Sequence, residues 1–304
     1  MNELTATEEY VKSFFPGKSP GTVKAYASDL ETFSSYLGTG TVEEALELLF
    51  ALPLNRANLL VMHYKAEIDD SGIKVSSINR KLSALRSIVK EANRRDIVPW
   101  ILEINNEKVV LQESSNHLDR SIILKLFTIS QTQKNPAKAA RDFAILRMIY
   151  DLALKRSTIA KLQLSDINSN NKTVCIQSNN GKVFRIKSIP NVTMKVINAW
   201  IYQRGTEPGP FFLNLDRAGK GEGISSTSVY RIVQKLGMDL GLKITPDDIR
   251  KAAIVEAVTK AENLGMEDHE ILAFTDHKQV SSLNRYKKQQ MRSQLELSTM
   301  ISKC

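Results

Sequence analysis

The sequence predicts a mainly α-helical protein with a small β-hairpin or sheet, built as two domains. Three observations carry that expectation. Apolar residues recur at helical spacing through most of the 304 residues. A polar, weakly patterned stretch, 106–117, follows Pro99-Trp100 and separates two such regions. Beyond it, two β-rich runs flank an Asn-Gly pair, a strong local hairpin signal. The expected divisions are a helical domain over 1–105, a linker over 106–117 and a mixed domain over 118–304.

The elements follow in order. Ser19-Pro20-Gly21-Thr22 starts a helix whose apolar face is Val23, Tyr26, Leu30, Phe33 and Leu37, closed by Gly38 and Gly40. Shorter helices are expected over Val42 to Phe50 and over Ala57 to Asp69, the second ended by Asp70-Ser71-Gly72. The clearest helix runs from Ser76 to Arg95, with Ile78, Leu82, Leu85, Val89 and Ala92 as one stripe. Asn79, Arg86, Lys90 and Arg94 share its other side. Such a helix packs on its own domain while offering cations to backbone phosphates. After the linker, Ala139 to Leu154 reads as a strongly apolar helix around Phe143, Leu146, Ile149 and Leu152. Strands are expected over Thr173 to Gln177 and Val183 to Ile189, joined by Ser178-Asn179-Asn180-Gly181-Lys182. Helices resume at Val192 to Arg204, at Ser226 to Leu240 and beyond Pro246.

Composition narrows the function classes. A net charge of +9 favours a polyanionic partner, because clustered Lys and Arg attract phosphates whatever the sequence. No run of apolar residues is long enough for a membrane span, and Met1-Asn2-Glu3-Leu4-Thr5 carries no secretory pattern. Cys175 and Cys304 make no disulfide framework, and no Cys/His cluster has zinc spacing. The expected setting is reducing and cytoplasmic, with no metal, no cofactor and no small-molecule substrate.

The chemistry concentrates near the end of the chain. Thr245-Pro246-Asp247-Asp248-Ile249-Arg250-Lys251 is followed by Asp276-His277-Lys278, and Tyr286 stands nine residues after His277. This spacing resembles the active-site signature of the tyrosine recombinases, or phage integrases. That family writes His-x-x-Arg-His and then Gly-His with a tyrosine nine residues on. Ser77-Ile78-Asn79-Arg80-Lys81-Leu82-Ser83-Ala84-Leu85-Arg86 looks like a phrase of its helical, SAM-like core-binding domain, which adds Arg80 to the candidate DNA contacts. Arg141-Asp142-Phe143-Ala144-Ile145-Leu146 and Pro208-Gly209-Pro210-Phe211-Phe212 look like phrases of its α+β catalytic domain. The resemblance covers essentially the whole chain. It implies a prokaryotic or mobile-element protein that clamps double-stranded DNA between two domains.

Breaking a phosphodiester without a metal needs a nucleophile, cations on the non-bridging oxygens and an acid for the departing 5′-oxygen. The resemblance assigns these roles to Tyr286 as nucleophile, Arg250 as a clamp arginine, His277 as an assisting group and Lys182 as the hairpin lysine. Arg185 and Lys187 remain alternatives for that lysine. Two departures from the family bear on this chemistry. Ala153-Leu154-Lys155-Arg156-Ser157 puts Lys155 where the other clamp arginine belongs, and Asp247 replaces the first histidine. Lysine keeps the charge but loses the planar fork that grips two phosphate oxygens, and a carboxylate repels phosphate. Arg156 lies about 100 degrees round a helix from Lys155, so it does not simply substitute. Because Lys155 and Asp247 flank one phosphate in the family, they are expected to pair with each other. The site is therefore read as degenerate. A non-catalytic, sequence-specific regulator, accessory or replication factor descended from a recombinase is the alternative.

Two further features complete the expectation. Ser225-Ser226-Thr227 looks like the start of a helix that carries Tyr230, Arg231, Gln234 and Lys235 away from Val229, Ile232, Val233 and Leu236. Such a helix fits a major groove, with Arg and Gln as base readers. Past Tyr286, the tail carries Met291, Leu295, Leu297 and Ile301. In the family this segment docks on a neighbouring protomer, which implies self-association on DNA.

Overall fold

The computed structural model describes residues 4–108, 118–177, 183–216, 219–276, 279–284 and 286. The chain divides into two compact units, Met1–Glu113 and Ser114–Cys304, each with its own apolar core.

Among its described residues the first unit holds five helices: α1 (Ala6–Phe14), α2 (Pro20–Leu37), α3 (Val42–Phe50), α4 (Leu54–Asp70) and α5 (Val75–Arg94). Local chemistry sets their ends. Ser19 accepts the Thr22 amide ahead of Pro20, and Gly38 takes φ 70° to close α2. The expected stripe of α5 is buried throughout. Helix α1 escapes a periodicity reading because only Val11 and Phe14 of it are buried; a Thr5–Glu8 capping box starts it.

The second unit is helical around a three-stranded antiparallel sheet. Its helices are α6 (Arg120–Gln131), α7 (Pro136–Asp151), α8 (Arg156–Lys161), α9 (Asn191–Arg204), α10 (Ser226–Met238), α11 (Pro246–Asn263) and α12 (Asp268–Thr275). The strands β1 (Ile167–Asn168), β2 (Thr173–Gln177) and β3 (Val183–Ser188) run in that order, with Thr173 opposite Ser188 and Cys175 opposite Ile186. The turn expected over 178–182 lies outside the described residues. Strand β1 is two residues long, too short to leave an alternating pattern. Trp200 of α9 centres the core, its indole N–H donating to the Phe211 carbonyl at 2.9 Å.

One expectation is corrected here. The apolar helix expected to reach Leu154 stops at Asp151, because Ala153 enters the left-handed region at φ 49° and turns the chain. Beyond Pro246 the expected helices are α11 and α12, with Gly265 at φ 66° between them. Among the described residues no helix is long and apolar enough to cross a membrane.

Candidate active site

The turn after α7 is the natural starting point. Ala153 is fully buried, and its carbonyl accepts from Arg250 Nε at 2.7 Å. Lys155 follows as the extended residue that precedes α8, with its side chain exposed. Arg156 begins that helix and stacks over the Tyr230 ring of α10, 5.4 Å from its centroid. It is thus turned toward α10 rather than standing in for Lys155.

Helix α11 supplies the second wall. Thr245 and Asp248 form a capping box: the Asp248 amide donates to Thr245 Oγ1 at 3.2 Å, and the Thr245 amide donates to Asp248 Oδ2 at 2.9 Å. Thr245→Ala is expected to cost about 1 kcal/mol, read as a lower urea midpoint with an unchanged slope. Asp247 lies in the first turn, exposed, where a carboxylate suits the positive end of the helix. One turn on, Arg250 donates to the carbonyls of both Ala153 and Thr275.

The expected Lys155–Asp247 ion pair does not form. Both side chains are exposed, and neither makes an ion pair among the described residues. Water solvates each charge separately, and an exposed pair gains too little to hold two mobile side chains together.

A cluster of partly buried ion pairs sits instead between β3 and the end of α12. Lys187 is 7% exposed and donates to the carbonyls of Leu152, at 2.9 Å, and Phe274, at 2.6 Å. Its ammonium also meets Asp276 Oδ2 at 3.0 Å. Burial pulls the Lys187 ammonium below the ordinary lysine value; Asp276 opposes that pull, and Arg185 and Arg250 add to it. Arg185 donates to the Leu272 and Ala273 carbonyls and to Asp276 Oδ1, the last at 2.9 Å. Of the three candidates for the hairpin lysine, Arg185 and Lys187 are therefore committed to the end of α12. Lys182 lies outside the described residues, as does His277.

Tyr286 is 3% exposed. It packs with Ala153, Ile254, Val258, Ala261, Ile271 and Leu283 in a small cluster of its own. Ala153 is the shared member: its side chain belongs to the Tyr286 cluster and its carbonyl to Arg250. The residue that sequence reasoning passed over is Asp276, which stands where the resemblance places glycine. Its φ of 57° was the hidden signal, since that backbone region favours glycine.

The candidate DNA contacts divide into two sets. On α5, Asn79 bonds both the amide and the carbonyl of Glu107, at 2.8 and 2.9 Å. Arg86 donates to the Ile104 carbonyl and to Asn106, and Arg80 to the Ala25 carbonyl and to buried Asp29. These three side chains tie their own unit together. Lys90 and Arg94 of α5 are exposed, Arg94 lying 3.6 Å from Glu91. On α10, Ser225 caps the first turn, Val229, Val233 and Leu236 are buried, and Arg231, Gln234 and Lys235 are exposed. The tail beyond Tyr286 lies outside the described residues.

Comparison with known proteins gives matches across both units. A model of the phage integrase family matches residues 116–293, and one of the phage integrase N-terminal SAM-like domain matches residues 9–96. A tyrosine recombinase of Synechococcus elongatus is 27% identical over 276 residues, covering 88% of this chain and 85% of that protein. The tyrosine recombinase XerC of Pelobacter propionicus is 28% identical over 226 residues, covering 71% and 68%. Among solved structures, XerH site-specific recombinase bound to palindromic difH substrate aligns with a TM-score of 0.69 at 14% identity, covering 97% of this chain and 84% of that one. A lambda integrase dimer bound to a COC′ core site aligns at 0.65 and 15% identity, covering 92% and 93%. At these identities the structural matches carry the fold.

Proposed function

This chain belongs to the phage integrase family, and from that premise we propose that it binds double-stranded DNA site-specifically and carries a weakened form of the tyrosine recombinase reaction. In that reaction Tyr286 attacks a backbone phosphate, leaving a 3′-phosphotyrosyl bond that is later resealed. Arg250 and Lys155 hold the non-bridging oxygens, Lys182 protonates the departing 5′-oxygen, and His277 assists. Lys182 is preferred because Arg185 and Lys187 are engaged at the end of α12.

The observation that supports this reading best is the meeting at Ala153. The turn leading to Lys155, the Arg250 guanidinium and the Tyr286 ring, all distant in sequence, share that one residue. Composition alone would not assemble them. Buried as it is, Tyr286 has to leave its cluster before it reaches a phosphate, so cleavage waits on that displacement. Lys155 and Asp247 lie exposed without compensating each other, which leaves Asp247 to repel the phosphate that Arg250 attracts.

The helical unit serves as the core-binding clamp and the second unit as the catalytic-type domain, with 106–117 as linker. Lys90 and Arg94 of α5 supply phosphate contacts, and Arg231, Gln234 and Lys235 of α10 face a groove. Asn79, Arg80, Arg86 and Tyr230 complete these surfaces, the first three held in place by contacts within the helical unit. The tail carries self-association on DNA, and the setting is cytoplasmic. Exposed, unpaired Lys155 and Asp247 also favour a second reading: a DNA-binding regulator, accessory or replication factor that no longer cuts.

A suicide DNA substrate, nicked near the cleavage point, tests the reading after bound sequences are selected from a random pool. A faint covalent protein–DNA band is expected from the wild type and none from Tyr286→Phe, which keeps the ring in its cluster. Tight, specific binding with no covalent band from either protein would favour the second reading.

A further inference from the structure

Three cations from two elements converge on the last turn of α12. Arg185 takes the carbonyls of Leu272 and Ala273, Lys187 that of Phe274, and Arg250 that of Thr275. Cations suit the negative end of a helix, but three of them need an anion nearby. Asp276 supplies it. Its two carboxylate oxygens are divided between Arg185, at 2.9 Å, and Lys187, at 3.0 Å.

The strand geometry makes this division possible. Arg185 and Lys187 are two residues apart on β3 and so leave the same face, while Ile186 between them points away and is 61% exposed. Asp276 pays a backbone cost to meet them. It closes α12 at φ 57° and ψ 25°, a left-handed conformation that glycine enters freely and an aspartate only at some cost. A residue placed there against backbone preference, with both oxygens used, is doing more than ending a helix.

We infer that Asp276 is a positioning residue: its carboxylate ties β3, which Lys182 precedes in sequence, to the end of α12, which His277 follows in sequence. The inference rests on the recombinase reading for the roles of Lys182 and His277, but the tie itself does not. Lys182 is one residue before β3 and His277 one residue after Asp276, so one ion-pair cluster holds together the two elements from which they extend. Loosening it leaves the DNA-binding surfaces of α5 and α10 untouched.

Two variants of the full chain separate this role from simple helix capping. Asp276→Asn keeps the size and the tolerance of positive φ but removes the charge. Asp276→Gly removes the backbone cost along with the carboxylate, so a mere cap would be neutral or improved. Amide hydrogen exchange of the DNA-free protein is expected to rise about tenfold or more in both variants, at β3 and at the end of α12 together. The rate of covalent complex formation on nicked DNA is expected to fall about 10- to 100-fold with DNA affinity unchanged. Unchanged exchange in either segment, or in the glycine variant alone, would overturn the inference. So would a loss of cleavage matched by an equal loss of DNA affinity. If exchange rises in both segments while the parent chain and its Lys155→Arg, Asp247→His form make no covalent complex on a bound site, the tie stands and the recombinase reading fails.

Discussion

Lys155→Arg combined with Asp247→His is expected to raise the rate of covalent complex formation on nicked DNA by about 10⁴-fold. Arginine restores a planar, two-pronged donor to the phosphate, a change on the order of 10² to 10³ in rate. Histidine removes a repelling carboxylate and brings a donor, a change of about 10² or more. The two act on one phosphate, so their effects need not multiply fully. Both positions are open to solvent. Lys155 is exposed ahead of α8, and Asp247 is exposed in the first turn of α11. The folding cost is confined to the favourable helix-end interaction of Asp247, about 0.3–1 kcal/mol. Adding Tyr286→Phe to the restored chain should return the rate to background. A restored chain that still makes no covalent complex on a bound site would show that these two departures are not what weakens the reaction.

Lys187→Met is expected to lower stability by about 3 kcal/mol at neutral pH, read from the urea midpoint. The ammonium is buried, and its loss leaves the Leu152 and Phe274 carbonyls without their donor and Asp276 with Arg185 as its remaining cation. The pH dependence has a definite sign. Burial holds the Lys187 ammonium below 10.5 in the folded protein, with Asp276 opposing and Arg185 and Arg250 reinforcing. The unfolded chain therefore binds that proton more tightly. The cost of burying the charge is fully present below the folded value and is relieved as pH climbs toward 10.5. Wild type thus gains on Lys187→Met across that window, and the gap between their midpoints should widen from neutral pH to about 10. A gap that narrows would mean that the ion pair with Asp276 outweighs burial.

Much of the fold was legible in the chain, and particular elements show why. The stripe of α5 repeats over about four turns, and Ser19-Pro20 and Gly38 punctuate α2 with residues whose conformational preferences are strong. Strand β2 stands within the expected bounds because its apolar run is short and cleanly flanked. Helices α1 and α8 and strand β1 were not legible, since each buries too few residues to leave a period. Helix α7 ended early because a positive φ at Ala153 has no signature in a residue that usually avoids it.

The site divides along the same line. By itself the sequence determined the family, the order of Arg250, His277 and Tyr286, and the two departures at Lys155 and Asp247, because spacing and residue type are properties of the chain. Only the tertiary structure decided where the charges go. It left Lys155 and Asp247 without an ion pair to each other, buried Lys187 against Asp276, turned Asn79 and Arg86 inward to hold 104–107, and put Tyr286 and Ala153 in one buried cluster. Helix period and capping depend on neighbours within a turn, whereas ion pairing and burial depend on which distant segments the core brings together.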